Sequence, residues 1–314
     1  MSGTFDKLTL RGYIVRGDLI GAMEYLKQFP EQDGLYQRCR SVFVEGNGLP
    51  LGYGEKIDGM LRLYQTYYRE VFCLGVGKEA AEEHLRNSFA ALLGADVSAG
   101  LDELEDGPIA EAFEAEGWHF LGGRTGGYRG PYVWKETEEK TYAVELPDGE
   151  TEYTVNLLDG FISRSWMDYL SFGEIGTGGW SNGDGRINCV KKVYDLDGED
   201  FRVSLLKHEA QHAADLARYG EMSQEDLEYR AKLVELIYTQ EQGLLDAFLR
   251  EADSDHPGNG HTMAAERIAA GFEKKLGRDQ KTLAGLPVKE VQATALALFR
   301  ESTEQMEEKY GKKV

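Results

Sequence analysis

The stretch of sequence that decides the fold is FRVSLLKHEAQHAADLARYG, residues 201–220. The spacing of its apolar residues predicts one buried helix, which we expect to end at Gly220 because glycine is a common helix stop. Four of its side chains fall along one stripe of that helix: Leu205, His208, His212 and Asp215.

The centre of this helix is an H-E-x-x-H motif, residues 208–212. Helix positions four apart lie on one face, so His208 and His212 can bind the same cation. The intervening Glu209 then lies beside that cation as a possible general base. A catalytic zinc site takes three protein ligands and leaves one position open for water, so the motif requires a third ligand.

The third ligand must come from another segment. In the extended motif H-E-x-x-H-x-x-G-x-x-H the ligand is a third histidine, but Asp215 and Arg218 stand at the glycine and histidine positions here. SQEDLEYRAKLVELIYTQ, residues 223–240, predicts a second helix with Ser223 as its N-cap. Its acidic candidates are Glu225, Asp226, Glu228 and Glu235.

Two of these candidates are favoured, Glu228 and Glu235. They lie seven residues apart and share a helix face with Ala231, a small residue that permits close packing. Glu228 lies sixteen positions after His212, which is enough for a turn and a return of the chain. We predict that Glu228 is the third ligand. Glu235 is the second candidate for that ligand; otherwise it supports a ligand residue or faces solvent.

The motif and the second helix together resemble the gluzincin peptidases. HEAQHAAD (208–215) followed by LEYRAKLVEL (227–236) is similar to members in which the glutamate ligand begins an E-x-x-A pattern, notably the CAAX-type and heat-shock-type membrane metallopeptidases. Those families also have a His-Pro segment that leads into an Arg-Ile helix. The similar segments of this chain are Ser-Asp-His-Pro at 254–257 and Glu-Arg-Ile at 266–268. The resemblance covers residues 175–275, although this chain lacks membrane spans and inserts GNGHTMAA after the His-Pro.

The resemblance implies a zincin-like fold with Zn²⁺ held by His208, His212 and Glu228. The zinc would lower the pKa of a bound water, and Glu209 would pass the water's proton to the leaving amine. A further donor must stabilise the oxyanion. The candidates for that donor are His256 and His261, in a glycine-rich loop, and Arg267. Asp215 is interpreted either as a group that orients a ligand histidine or as a surface carboxylate.

Upstream of the motif, GTGGWSN (176–182) has the position of the edge strand along which gluzincins bind an extended peptide. Its glycines would allow close approach of a substrate backbone, and Trp180 would form the wall of a pocket. The alternative is a simple glycine loop with a core tryptophan.

The remaining sequence predicts an α+β fold. Up to about residue 117 four stretches have helical spacing, at 18–29, 34–46, 56–75 and 78–94. The small and acidic stretch 95–108 is the candidate boundary, giving a helical N-terminal domain (1–110) and a zincin-like domain (111–314). Three aromatic and β-branched stretches after Trp118 predict an antiparallel meander with a turn at 147–149.

The composition disfavours some classes of binding partner and indicates the cellular compartment. The net charge of −20 disfavours binding to nucleic acid and to anionic membrane surfaces. No signal peptide or membrane span is expected, and three dispersed cysteines do not form a disulfide framework. We therefore expect a cytoplasmic protein whose oligomeric state the sequence does not give.

The function predicted from these residues is that of a zinc metallopeptidase, a hydrolase acting on a peptide or protein substrate. The alternative is a zincin-fold protein without general protease activity, acting as a protein-binding or single-substrate regulatory module. Glu209 favours the enzyme, because a structural zinc site has no use for that carboxylate.

Overall fold

The computed structural model describes residues 4–96, 98–181, 185–252 and 260–311, and it confirms an α+β fold. The α-helices are α1 (Lys7–Val15), α2 (Leu19–Leu26), α3 (Asp33–Cys39), α4 (Glu55–Phe72), α5 (Lys78–Leu93), α6 (Leu101–Leu104), α7 (Ala110–Ala115), α8 (Ser165–Leu170), α9 (His208–Tyr219), α10 (Gln224–Tyr238), α11 (Leu244–Glu251), α12 (Gly260–Leu276) and α13 (Val288–Tyr310). Within those ranges no helix has both the length and the apolar composition needed to cross a bilayer.

The strands are short except for one hairpin. They are β1 (His119–Leu121), β2 (Arg124–Thr125), β3 (Tyr128–Arg129), β4 (Tyr132–Trp134), β5 (Glu136–Leu146), β6 (Gly149–Asp159), β7 (Ser163–Arg164), β8 (Gly179–Ser181) and β9 (Arg186–Val190). The chain divides into two compact units: Met1–Glu136 with Asp159–Thr177 is the first unit, and Thr137–Leu158 with Gly178–Val314 is the second unit.

The first unit is a helical core with two small antiparallel sheets, the two-stranded sheet β2-β3 and a three-stranded sheet. The four predicted helical stretches correspond to α2, to α3 with its π-helical extension Arg40–Val44, to α4 and to α5. On α4 the buried side chains recur every three or four residues, as an amphipathic helix requires. The three-stranded sheet has the order β1-β4-β7, with Phe120 opposite Val133 and Tyr132 opposite Arg164.

The predicted boundary at 95–108 lies inside the core of the first unit. Leu104 of this stretch is buried together with Ile109, Phe113 and Val133, which follow the stretch in the chain. Glu105 is also buried, and its carboxylate accepts hydrogen bonds from the Tyr64 hydroxyl at 2.8 Å and from Arg129 Nη1 at 2.8 Å. The first unit therefore continues past residue 110, because these long-range contacts join residues 111–136 to the N-terminal helices.

The second unit contains a four-stranded sheet of order β5-β6-β9-β8. The predicted turn joins β5 to β6. The prediction that the three stretches after Trp118 form one antiparallel meander is wrong. The aromatic stretches divide among three sheets, and β9 pairs parallel with β6, with Val155 opposite Ile187. A parallel pair needs a long connection, which residues 160–185 provide, and local alternation of residues cannot reveal such a pairing.

The helices of the second unit pack around α10. The predicted helix at 201–220 consists of a π-helical segment, Asp200–Lys207, that continues into α9, and it ends at Gly220, where φ is +81°. Ser223 caps α10 as predicted, accepting from the Asp226 backbone N–H. Every residue of α10 from Asp226 to Leu236 is buried, including five charged ones, so each of these charges needs a partner inside the protein.

Candidate metal centre

Helix α9 presents the two histidines of the motif one turn apart. The ring centroids of His208 and His212 are 4.6 Å apart and the ring planes are nearly perpendicular, at 89°. Both side chains are largely shielded from solvent, with 11% and 12% of their surface exposed. Two nitrogen donors therefore reach the same small space with little water around them.

Helix α10 contributes a carboxylate to that space. Glu228 Oε2 lies 3.4 Å from His208 Nε2, and Glu228 Oε1 lies 3.6 Å from His212 Nε2. One ligand atom from each of the three residues lies within 4.8 Å of the others. Ligands at about 2.0–2.2 Å in a tetrahedral site are about 3.3 Å apart, so this group could hold a metal ion.

The electrostatics of the cluster favour a cation. Burial alone would lower the pKa of His208, but its hydrogen bonds to Glu228 and Glu235 raise that pKa to about 10. Burial would raise the pKa of Glu228, but the surrounding imidazoles of His208, His212 and His261 hold it far below its usual range. Buried carboxylates facing imidazoles thus require positive charge, which a proton or a metal ion can supply.

Glu235 occupies the opposite side of the first histidine. Its Oε1 lies 2.7 Å from His208 Nδ1, so the alternative ligand of the sequence analysis contacts the nitrogen that faces away from Glu228. A carboxylate in this position fixes the tautomer and the orientation of the ring. His212 has no comparable support, because its buried Nδ1 has no hydrogen-bond partner among the residues described.

Asp215 follows neither interpretation offered by the sequence. It is 1% exposed, and both its carboxylate oxygens accept from Arg230 Nε at 2.9 Å. Arg230 is fully buried and also donates to Thr303 Oγ1 at 3.1 Å. The contacts His208–Glu235 and Asp215–Arg230 occur in opposite order along α9 and α10, so the two helices are antiparallel and this ion pair joins them.

The predicted catalytic residues have different surroundings. Glu209 is half-buried next to His208 on α9, and its carboxylate has no hydrogen bond or ion pair within the described part of the chain. His261 lies in the first turn of α12 with Nδ1 3.0 Å from Glu228 Oε2, and about half of its side chain, 53%, is exposed. His256 lies outside the described residues. Arg267 pairs with Asp226, whose Oδ1 accepts a hydrogen bond from Arg267 Nη1 at 2.7 Å.

Sequence reasoning missed two supporting residues, Gln224 and Arg230. Gln224 Nε2 donates to Glu228 Oε1 at 2.7 Å and so helps to orient the carboxylate. The signal for Gln224 was its position four residues before Glu228 on the same helix face. Arg230 had no comparable local signal, because its partner lies on another helix.

The strand β8 lies at the edge of its sheet, as predicted, with Trp180 opposite Asn188. Its glycines are explained by packing within the chain. A Cβ on Gly179 would lie 2.5 Å from Leu205 Cδ1 and 2.6 Å from the Asn188 carbonyl, and one on Gly178 would meet the Tyr194 hydroxyl. The small residues therefore let β8 pack closely against β9 and the segment that precedes α9.

A comparison of the chain with protein-family models, curated proteins and solved structures finds no match.

Proposed function

We propose that this protein is a zinc-dependent metallopeptidase. The observation that supports the proposal most strongly is the approach of His208 Nε2 and His212 Nε2 to the two oxygens of Glu228, at 3.4 and 3.6 Å, with Glu209 adjacent on the same helix. Two imidazoles and a carboxylate form a donor set that suits zinc. A structural zinc site would have no use for Glu209.

The three ligand residues hold the ion, and Glu235 and Gln224 hold two of those ligands in place. Zinc bound there supplies a Lewis acid that polarises the substrate carbonyl and makes water more acidic. The enclosed position of His208, His212 and Glu228 strengthens every electrostatic interaction at the site because little water screens it.

Glu209 acts as the proton carrier. It accepts a proton from the attacking water and donates a proton to the leaving amine, so that the peptide bond is replaced by a carboxyl group and an amine. A base must have a free lone pair, and the Glu209 carboxylate has no competing partner among the residues that the structure describes.

His261 is the best-placed candidate for the donor to the oxyanion. Its Nδ1 is 3.0 Å from Glu228 Oε2, and the exposed half of its side chain remains accessible to a substrate. The peptide itself would lie alongside β8, the last strand of the four-stranded sheet.

Metal analysis and hydrolysis on the same samples test this proposal. Wild type, Glu228→Ala and the control Glu225→Ala, on the same helix, are purified, and their metal content is measured by mass spectrometry. Cleavage of a peptide library is then assayed. We expect about one zinc per chain and peptide cleavage in wild type and the control, and loss of both in Glu228→Ala.

Other outcomes contradict the proposal in distinct ways. Zinc without cleavage of any peptide would replace the general peptidase with a structural site or a regulator of one substrate. Absence of metal from all three proteins, even after zinc is supplied, would rule out the metal centre.

A further inference from the structure

The first unit contains a cavity of about 550 Å³ that the metal centre does not use. Its volume is within the range of about 300–1,000 Å³ that small-molecule sites occupy. The inner wall is apolar and consists of buried side chains from α1, α2 and the segment around α8: Ile14, Leu19, Ala22, Leu26, Leu170 and Ile175. Burial raises the pKa of Cys39, also in the wall, to about 11, so its thiol stays neutral.

The mouth of this cavity is cationic. Arg11 and Arg38 are exposed there, and neither forms an ion pair within the described residues. Lys7 and Glu174 at the same mouth neutralise each other, with Nζ 3.2 Å from Oε2. In a chain with 55 acidic and 35 basic side chains, two unpaired guanidinium groups beside one apolar cavity are unexpected.

Phe172 positions one of these guanidinium groups. The residue closes the end of α8 with φ at +56°, in the left-handed region that favours glycine. One face of its ring stacks on Phe43 with centroids 5.5 Å apart, and the Arg38 guanidinium carbon lies 4.1 Å from its centroid. The ring of Phe172 thus fixes the Arg38 guanidinium at the mouth, at a backbone position where glycine would be less strained.

Leu8 provides the remaining part of the mouth. Its side chain is 76% exposed although it lines the cavity, so a ligand that entered would cover apolar surface now in water. An apolar wall cannot pair polar groups deep in the cavity, whereas guanidinium groups bind carboxylates through paired hydrogen bonds. The ligand must therefore combine a hydrocarbon body with one anionic end.

We propose that the first unit binds an aliphatic monocarboxylate, with its hydrocarbon chain in the cavity and its carboxylate between Arg11 and Arg38. This inference does not depend on the metal centre. Glu228→Ala, in the second unit, should bind the carboxylate with wild-type affinity, so the two proposals can fail separately.

Calorimetric titration of the full chain with sodium decanoate, below its self-association concentration, tests the inference. We expect one molecule bound per chain. Arg11→Glu with Arg38→Glu should weaken binding by about tenfold or more, since each charge-assisted hydrogen bond contributes that much. The control Arg16→Glu, an exposed arginine of the same unit outside the cavity lining, should leave the affinity unchanged.

A second variant and a neutral ligand complete the test. Ala22→Leu should fill the inner wall and abolish binding, and the arginine variants remain decisive if Ala22→Leu fails to fold. Three outcomes overturn the inference: no decanoate bound, equal affinity in the double charge reversal, or equally tight binding of 1-octanol, which has no charge for the arginines to recognise.

Discussion

Glu235 Oε1 lies 2.7 Å from Nδ1 of His208, while Nε2 of the same imidazole faces Glu228. The His208 ring thus lies between two carboxylates. Glu228 belongs to the candidate metal cluster, and Glu235 fixes the orientation of the ring. The roles that the sequence left open between Glu228 and Glu235 are separated by which nitrogen each residue contacts.

The first prediction concerns this orienting contact. Glu235→Gln keeps a neutral acceptor for Nδ1, whereas Glu235→Ala removes the acceptor. Zinc affinity should therefore be lower in Glu235→Gln than in wild type and lowest in Glu235→Ala, with losses of about 10- to 100-fold. Competition with a chromophoric chelator measures the affinity, with Glu225→Ala as the control. Unchanged affinity in Glu235→Ala would show that the contact does not support the ligand.

A second prediction separates metal binding from proton transfer. Glu209→Gln should retain a full complement of zinc, because Glu209 is not among the three clustered ligands, and should lose about 10²–10⁴-fold in peptide hydrolysis. Metal content and kcat are measured on one preparation. Hydrolysis at the wild-type rate would exclude Glu209 as the base.

His261 provides a third prediction. His261→Ala should keep the zinc and lower kcat by about 10²–10³-fold, the usual effect of removing one donor to an oxyanion. His119→Ala, a strand residue of the first unit, is the control. Loss of zinc in His261→Ala would instead identify His261 as a fourth ligand.

The buried pair Asp215–Arg230 leads to a fourth prediction, about stability. Asp215→Ala should lower the free energy of unfolding by about 3–5 kcal/mol, because it leaves the Arg230 charge buried without its partner. Asp215→Leu with Arg230→Met should recover most of that loss. Denaturant unfolding measures both, and Asp197→Ala, at an exposed ion pair with Arg202, should change stability by about 1 kcal/mol or less.

If the double variant is no more stable than Asp215→Ala, then the cost does not arise from the unpaired charge. The pair would then contribute through its packing between α9, α10 and α13.

A fifth prediction concerns Gly179. Gly179→Ala should destabilise the protein by about 1–3 kcal/mol, because the added methyl group overlaps Leu205 and the Asn188 carbonyl. Gly52→Ala, where a Cβ would meet nothing within 4 Å, should be neutral. Thermal unfolding compares the two variants, and equal midpoints would show that the sheet adjusts to the methyl group.

The local elements were predictable because their signals lie within a few residues of one another. The helix that carries His208 and His212, its stop at Gly220, the N-cap at Ser223 and the turn at 147–149 all follow from short-range spacing and turn chemistry. The unit boundary and the parallel pairing of β6 with β9 were not predictable, since both depend on contacts between residues distant in the chain.

At the candidate site the sequence by itself determined which residue types are present and that two imidazoles share one helix face. That follows from the helical repeat, which is a property of the backbone. Only the tertiary structure decided which carboxylate meets the Nε2 atoms, that Asp215 pairs with Arg230, and that His261 approaches Glu228. These contacts join separate helices, and the packing of α9, α10 and α12 sets the distances between their side chains.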